Sequence, residues 1–422
     1  MFTSSRVLAV LAATILLWAA ASPSRADAQT AAAPLATLES IYLTAFGEAM
    51  HRHASTQLDG TTFVTTGDIE AEWLRDSSAV VAPYVPFAAR DPEIGKMLRG
   101  VVARHARYIL IDPYANAFSA DYRVAERKFE VDSLLYPIWF AHRYWRETGD
   151  RSIFTGQVNR AFERVLALFR TEQHHLARSP YRHEQLAEGG RGSPVGETGM
   201  IWTGFRPSDD PARYHYNIPV NMFAAVAMRD LAEIERDVYR NALDAALAST
   251  LAESVRAGIE RFGIVTVPDL GKIYAYEVDG LGHASLMDDA NIPSLVSIPY
   301  FGYASQRDPV YLTTRRFALS SRNPYYFVGA FGRGIGSPHT PPGYVWPLAL
   351  VMQALTSSDA AEINDIGAYL SASDSGDHRL HESYDINDPL RFTRADFAWP
   401  NALYAELVQR RGGNVTAAFM RP

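Results

Sequence analysis

The sequence predicts an all-α protein: a toroid of paired helices with a polar pocket built from loops at one end. Three observations predict it. Helical periodicity recurs along almost the whole chain of 422 residues, strand signals are few, and the most chemically equipped segments fall between the periodic runs.

Taken in order, Leu35–Met50 is the first amphipathic run. Asp91-Pro92 then supplies an N-cap and first-turn proline ahead of an apolar stripe through Ile94, Met97, Leu98, Val101, Val102, Tyr108 and Ile109. The period returns in Leu134–Thr148, in the stretch from Ser152 to Phe169, in Val220–Glu235 and in Val238–Phe262. Pro309–Leu319, Val345–Leu355, Ala360–Leu370 and Asp396–Arg410 complete it, with Thr393-Arg-Ala-Asp396 resembling a capping box before the last. The best strand signal is a hairpin in Gly263–Val278, where Ile264–Val267 and Ile273–Tyr276 flank Asp269 and Gly271. Ser179–Thr198 is the one long polar loop, and no Pro/Ser/Gly linker divides the chain.

The N-terminus has the pattern of a signal peptide over residues 1–28: a short n-region with Arg6, the apolar run Val7–Ala21, and a small-x-small site at Ala26-Asp27-Ala28. The run is shorter than the roughly 20 apolar residues of a membrane span. The expectation is export to the periplasm or medium with no stable membrane anchor after cleavage, leaving residues 29–422 as a single catalytic domain. With 0 cysteines there is no disulfide framework and no thiolate nucleophile or ligand. A net charge of −7 without a Lys/Arg block gives nucleic-acid binding little electrostatic support. There is no HExxH motif, and the His51-Arg-His53 and His174-His175 pairs lack carboxylates at ligand spacing, so neither a metal nor another cofactor is expected.

The chemistry concentrates in loops. Ile201–Asp210 and His381-Glu-Ser-Tyr384 each hold a carboxylate in a polar, aromatic-flanked segment. Two carboxylates facing each other across a pocket are what a glycosidase needs, one to protonate the leaving oxygen and one to activate water or attack the sugar. Taken singly, Asp-Asp after Pro-Ser is equally an ordinary turn or helix cap. Gly67–Asp76 offers Asp68, Arg75 and Asp76 for sugar hydroxyls and Trp73 for stacking, or else a structural ion pair beside a buried ring. Glu277–Gly280 with Met287–Asn291, and Asn323–Tyr326 with Gly336–Gly343, the last with His339, are the remaining candidate segments.

Taken together, Gly67-Asp…Trp73-Leu-Arg-Asp-Ser77, Lys128-Phe-Glu-Val-Asp-Ser133, Gly204–Asp210, Leu286–Asn291, Gly334–Pro341 and His381-Glu-Ser383 resemble the signature blocks of glycoside hydrolase family 125. The resemblance runs from about Tyr42 to Leu407. It implies an (α/α)6 barrel and an exo-acting, inverting, metal-independent α-1,6-mannosidase acting on α-mannoside glycans. It also implies Glu382 as general base and one of Asp209 and Asp210 as general acid, with Asp209 taken first. The acid is expected to have a raised pKa. Asp68, Arg75, Asp76, Arg206, Asp289, Asn291 and His339 would then hold the hydroxyls of a terminal mannose, and Trp73, Trp202, Tyr325 and Tyr326 would wall the pocket. The competing readings are a helical-barrel α-glycosidase acting on another hexose such as glucose, and a non-catalytic glycan-binding protein.

Overall fold

The computed structural model describes residues 25–419. The expected signal segment lies outside them, save that residues 25–28 open the first helix, α1 (Arg25–Glu48). The chain continues through α2 (Leu74–Val81), α3 (Pro92–Ile111), α4 (Val131–Thr148), α5 (Gly156–Glu172) and α6 (Ile218–Ile234). Then come α7 (Ala242–Gly258), the single turn α8 (Ile298–Phe301), α9 (Pro309–Ala318), α10 (Pro347–Leu355), α11 (Ala360–Ala372) and α12 (Ala398–Arg410).

Two kinds of helix alternate along the chain. α2, α6, α10 and α12, with the N-terminal half of α4, are buried nearly all round, whereas α3, α5, α9 and α11 bury one stripe and leave the rest to solvent. A helix buried on every side has to sit inside a layer of others. The packing agrees: α2 contacts α4, α4 contacts α6, α6 contacts α8, α10 contacts α12, and α12 returns to α2. The amphipathic helices lie outside, α3 on α4 and α5, α7 on α6, α11 on α10 and α1, and α1 on α12.

Helix starts follow local chemistry. Asp91 accepts from the backbone N–H of Glu93 (2.9 Å) and Ile94 (3.3 Å), with Pro92 in the first turn. Thr155, Asn217, Asp308 and Asp359 cap α5, α6, α9 and α11 in the same way. The expected capping box at Thr393–Asp396 does not form. Thr393 ends a strand, α12 starts at Ala398, and the Asp396 carboxylate is taken by Arg52 at 2.9 Å. α2 and the single turn α8 match no expected run: both are short, and in α2 the polar Arg75, Asp76, Ser77 and Ser78 are buried with the rest. The expected hairpin is present as Ile264–Val267 paired with Gly271–Tyr274.

Short antiparallel ladders precede three of the buried helices. Glu72–Trp73 joins Ala117–Phe118 and Val124–Glu126 ahead of α2; Tyr216–Asn217 joins Glu277–Val278 and Ala284–Ser285 ahead of α6. Tyr344–Val345 joins Ser383–Asp385 and Asp388–Thr393 ahead of α10. The ladders hold the connecting segments over the N-terminal ends of the buried helices. Glu72 anchors the first of them, with Arg104 Nε at 3.0 Å and Tyr108 Oη at 2.9 Å, all fully buried.

The first and last loops are zipped by backbone. The Asp68 N–H donates to the Asp396 carbonyl (3.0 Å), the Ala398 N–H donates to the Thr66 carbonyl (2.9 Å), and Gly67 pairs with Phe397. Gly67 has φ +128°, and a Cβ there would lie 1.9 Å from the Asp396 carbonyl oxygen. Gly67→Ala should therefore destabilise the fold by at least about 2 kcal/mol, from backbone strain and the broken seam. Urea unfolding measures it, and a loss below about 0.5 kcal/mol, the scale of an ordinary surface substitution, would show that the seam yields freely.

Candidate active site

The N-terminal ends of the buried helices surround a cavity of about 250 Å³. Arg75 and Asp76 enter from the first turn of α2, Trp399 and Phe397 from the start of α12, and Trp346 from just before α10. The strand Glu72–Trp73 adds Trp73, loops add Asp209, Asn291 and His339, and the two ends of the hairpin Ser383–Thr393 are flanked by Glu382 and Arg394. Helix N-termini carry partial positive charge, which suits a site rich in carboxylates.

Arg75 is the hub. Its Nη1 donates to Glu130 (2.7 Å) and Asp132 (3.1 Å), its Nη2 to Asp209 (3.4 Å), and its Nε lies 3.3 Å from Asp76. Glu130 and Asp132 flank the first residue of α4, so one helix start delivers both. Burial pushes Asp76 up to about 6; Arg75 opposes the shift and Asp209 adds to it. Burial and the neighbouring Asp209 push Glu130 well above the usual carboxylate range.

Asp209 is placed by a tight turn. The Asp209 N–H donates to the Arg206 carbonyl (2.9 Å), the Arg206 N–H donates to the Asp210 carbonyl (2.8 Å), and Asp209 has φ +65°. A left-handed conformation is costly for a residue with a Cβ and recurs at functional sites. The turn separates the adjacent aspartates. Asp209, 23% exposed, faces the cavity and also accepts from Asn116 Nδ2 at 3.3 Å. Asp210 lies behind it, held by Ser208 Oγ (2.8 Å), with His339 Nδ1 at 3.5 Å. Turn geometry, rather than the alternation of an extended strand, selects the inward carboxylate. The raised pKa expected of the acid is not found at Asp209. Burial pushes it up, but the neighbouring Glu130 and the positive charges of Arg75 and Lys128 outweigh burial and leave it lowered.

Glu382 is buried and faces the same cavity, with its carboxylate 3.6 Å from Arg394 Nη1. Its neighbours turn away: His381 Nε2 pairs with Asp377 (3.0 Å) and Ser383 Oγ bonds Thr393 Oγ1 (2.6 Å). Arg394 in turn is fixed by Asp68 at 2.7 Å and lies over the Phe397 ring.

Trp73, Arg75, Asp76, Asp209, Asn291, His339 and Glu382 thus line one cavity, as expected. Four expected residues stand one contact behind it. Asp68 holds Arg394, and Asp210 stands against His339. Arg206 grips the buried Glu277 with two bonds (2.6 and 2.9 Å), fixing the turn. Asp289 accepts from both the N–H and the Nδ2 of Asn291 at 3.1 Å.

The aromatic wall needs correction. Trp202 is 0% exposed, stacked between His175 (3.5 Å between ring centres) and His215 (4.7 Å), so it cannot meet a sugar. Tyr325 and Tyr326 are not in the lining either. Tyr326 instead faces a larger cavity, about 630 Å³, between α9 and α11, where Arg315, Gln353 and Ser357 already engage Glu362. The rings that do line the site, besides Trp73, are Trp346, Trp399 and Phe397. They went unassigned because an aromatic at a helix start has the same pattern as core. Glu130, Asp132 and Arg394 were also unassigned, although Glu130-Val-Asp132 before an apolar run was a visible signal.

Among the described residues, Glu48, His53 and Asp396 are spaced as metal ligands could be. Their carboxylates already receive Arg52 (3.0 and 2.9 Å) and Arg379.

The family model of metal-independent α-mannosidases, glycoside hydrolase family 125, matches residues 36–123 and 120–409. The meiotically up-regulated gene 157 protein of Schizosaccharomyces pombe is 37% identical over 401 residues, 84% of this chain and 78% of that protein. A metal-independent α-mannosidase of Streptococcus pneumoniae, solved in a non-productive complex with α-1,6-mannobiose, is 39% identical. It has a TM-score of 0.87 and covers 91% of this chain and 95% of its own. A bacterial glucoamylase complexed with acarbose shares the fold alone, at 13% identity and a TM-score of 0.58 over 83% of this chain and 50% of that one.

Removing the hub should expose how the acids depend on it. Arg75→Met keeps the volume and strands the buried carboxyls, and it should cost about 3–5 kcal/mol, the penalty of an orphaned buried charge. Chemical unfolding at neutral pH measures this, and a cost under about 1 kcal/mol would mean that the acids do not need the guanidinium.

Proposed function

The chain belongs to the metal-independent α-mannosidases of glycoside hydrolase family 125, and we propose that its cavity removes single mannose residues from non-reducing α-1,6-linked ends with inversion at C1. The observation that carries this is the pairing of Asp209 and Glu382, from loops far apart in sequence, on one small cavity. We further propose that the two helix layers close as an (α/α)6 barrel of six inner and six outer helices, and that the catalytic domain is exported by the N-terminal segment.

Asp209 protonates the glycosidic oxygen as the C1–O bond breaks. Glu382, entering as carboxylate, takes a proton from water as that water attacks C1 from the opposite face. Asn291, His339, Arg75 and Asp76 hold ring hydroxyls, while Trp73 gives an apolar face for the C–H side of the sugar, backed by the nearly buried Trp346 and Trp399. A cavity of about 250 Å³ is slightly smaller than ligand pockets, typically ~300–1,000 Å³, and fits one terminal residue better than an internal stretch of chain. That supports exo action.

Mannobioses of different linkage, and the corresponding glucosides, test the substrate. Early product should be mannose alone, and proton NMR should show the β-anomer first; an α-anomer would mean retention. Mixed oligosaccharides at early times would overturn exo action, cleavage of glucosides alone would favour the other-hexose reading, and binding without turnover would leave a glycan-binding protein.

Asp209→Asn should lose roughly 10²–10⁴-fold more activity on α-1,6-mannobiose than on an activated aryl mannoside, whose leaving group needs little protonation. Asp210→Asn should weaken both substrates alike through His339. The reverse pattern would exchange the two aspartates, and mild equal losses at both would remove this loop from acid catalysis.

A further inference from the structure

Asn116 is wholly buried beside the acid, yet it does not line the cavity. Its backbone is already held on both sides. The Leu74 N–H, next to Arg75 on α2, donates to its carbonyl (3.1 Å), and its own N–H donates to the Glu126 carbonyl (3.2 Å). The side chain is not needed for that ladder, and both ends of its amide are engaged elsewhere. Oδ1 accepts from the Lys128 N–H (3.0 Å), while Nδ2 donates to Glu126 Oε2 (2.7 Å) and to Asp209 Oδ1 (3.3 Å).

The orientation of this amide is forced. Turned over, Nδ2 would face the Lys128 N–H, donor against donor, and Oδ1 would face two carboxyl groups. Glu126 fixes it further. Lys128 Nζ at 2.7 Å balances the charge of Glu126, whose Oε2 also accepts from Trp73 Nε1 (3.3 Å). One carboxylate thus holds both the amide and an aromatic ring of the cavity wall. At the acid, Asn116 Nδ2 and Arg75 Nη2 (3.4 Å) meet the same oxygen, Oδ1. In a protonated carboxyl group the oxygen that accepts two N–H bonds is the carbonyl one, so the transferable proton belongs on Oδ2.

We propose that Asn116 is the positioning residue of the general acid: held by Glu126 and the Lys128 N–H, it fixes the rotation of the Asp209 carboxyl so that Oδ2 presents its proton to the glycosidic oxygen. The inference rests on Asp209 being the acid. A single donor leaves a carboxyl free to turn about one contact. A second donor from a separate element removes that freedom and keeps the reacting atoms aligned. As the Oδ2–H bond breaks, the leaving oxygen takes the proton and C1–O cleaves. Asp209 becomes an anion, and the Asn116 N–H helps to hold the new charge. Asn116 itself transfers no proton and touches no substrate.

The test is Asn116→Ala, assayed as kcat/KM against pH on α-1,6-mannobiose and on an activated aryl mannoside, beside the wild type and Asp209→Asn. Activity on the mannobiose should fall roughly ten- to a hundredfold, the scale of a slightly misplaced reacting group. The loss should lie in kcat and be far smaller on the aryl mannoside. The alkaline limb should move to higher pH. The acid works while protonated, a lost N–H donor destabilises its anion, and its pKa rises by roughly 1 unit for one such bond. The charged groups around Asp209 stay in place: Arg75 and Asp76 at the start of α2, Lys128, Glu130 and Asp132 leading into α4, Asp210 on its own turn, and His339 and Glu382 on the cavity wall. A displaced limb therefore reports the missing amide. An unmoved limb with equal losses on both substrates would reduce Asn116 to a structural residue and overturn the proposal. If Asn116→Ala does not fold, NMR of the Asn116 side-chain amide in the wild type decides. Its nitrogen and proton shifts should titrate with the alkaline limb and lose that step in Asp209→Asn; shifts that stay flat across the limb would overturn the proposal. Should Asp209→Asn itself lose both substrates equally, the acid assignment fails; should it spare the aryl mannoside while Asn116→Ala leaves the limb unmoved, only the positioning role fails.

Discussion

A buried guanidinium holding four carboxyl groups is the constraint on which the site depends. Arg75 reaches Asp76 on its own helix, Glu130 and Asp132 at the start of α4, and Asp209 on a turn far along the chain. Remove it and the three acids at the starts of α2 and α4 and the cavity-facing aspartate repel each other in a low-dielectric space. Keep it, and one positive charge is shared among all four.

That arrangement is possible because α2 and α4 start side by side. Both are buried nearly all round at their N-terminal ends, and the ladder through Glu72–Trp73 fixes where α2 begins. Glu72 is itself neutralised by Arg104, so the support repeats the logic of the site: a buried acid answered by a buried arginine. The backbone seam at Gly67 and Phe397 then brings Arg394 and Glu382, from the end of the chain, against Asp68 and the α2 side.

The turn at Arg206–Asp210 shows how one backbone angle separates two chemically identical neighbours. Asp209 at φ +65° projects into the cavity beside Arg75, while Asp210 is drawn back by Ser208 and His339. Glu277 holds Arg206 from behind and supplies the rigidity that keeps the strained residue in place.

Much of this was legible in the chain itself. Amphipathic periods located the outer helices, and the Asp91-Pro92 cap marked where α3 starts, because both depend on neighbours within a turn or two. The loop acids Asp209 and Glu382 could be named because a carboxylate in a polar, Pro/Gly-bounded segment has few local partners. What depends on distant groups could not be read. α2 is short and its polar residues are buried by distant partners, and the Thr393–Asp396 cap lost its aspartate to Arg52. Trp202 became core between two imidazoles, while Trp346 and Trp399, with the same local pattern as core, reached the cavity. The sequence alone determined which elements form and which residue types are available for chemistry, since propensity and capping are local. Tertiary structure decided which aromatics line the cavity, which aspartate points into it and which cation answers it, since each is set by burial and charge contributed from residues tens to hundreds of positions away.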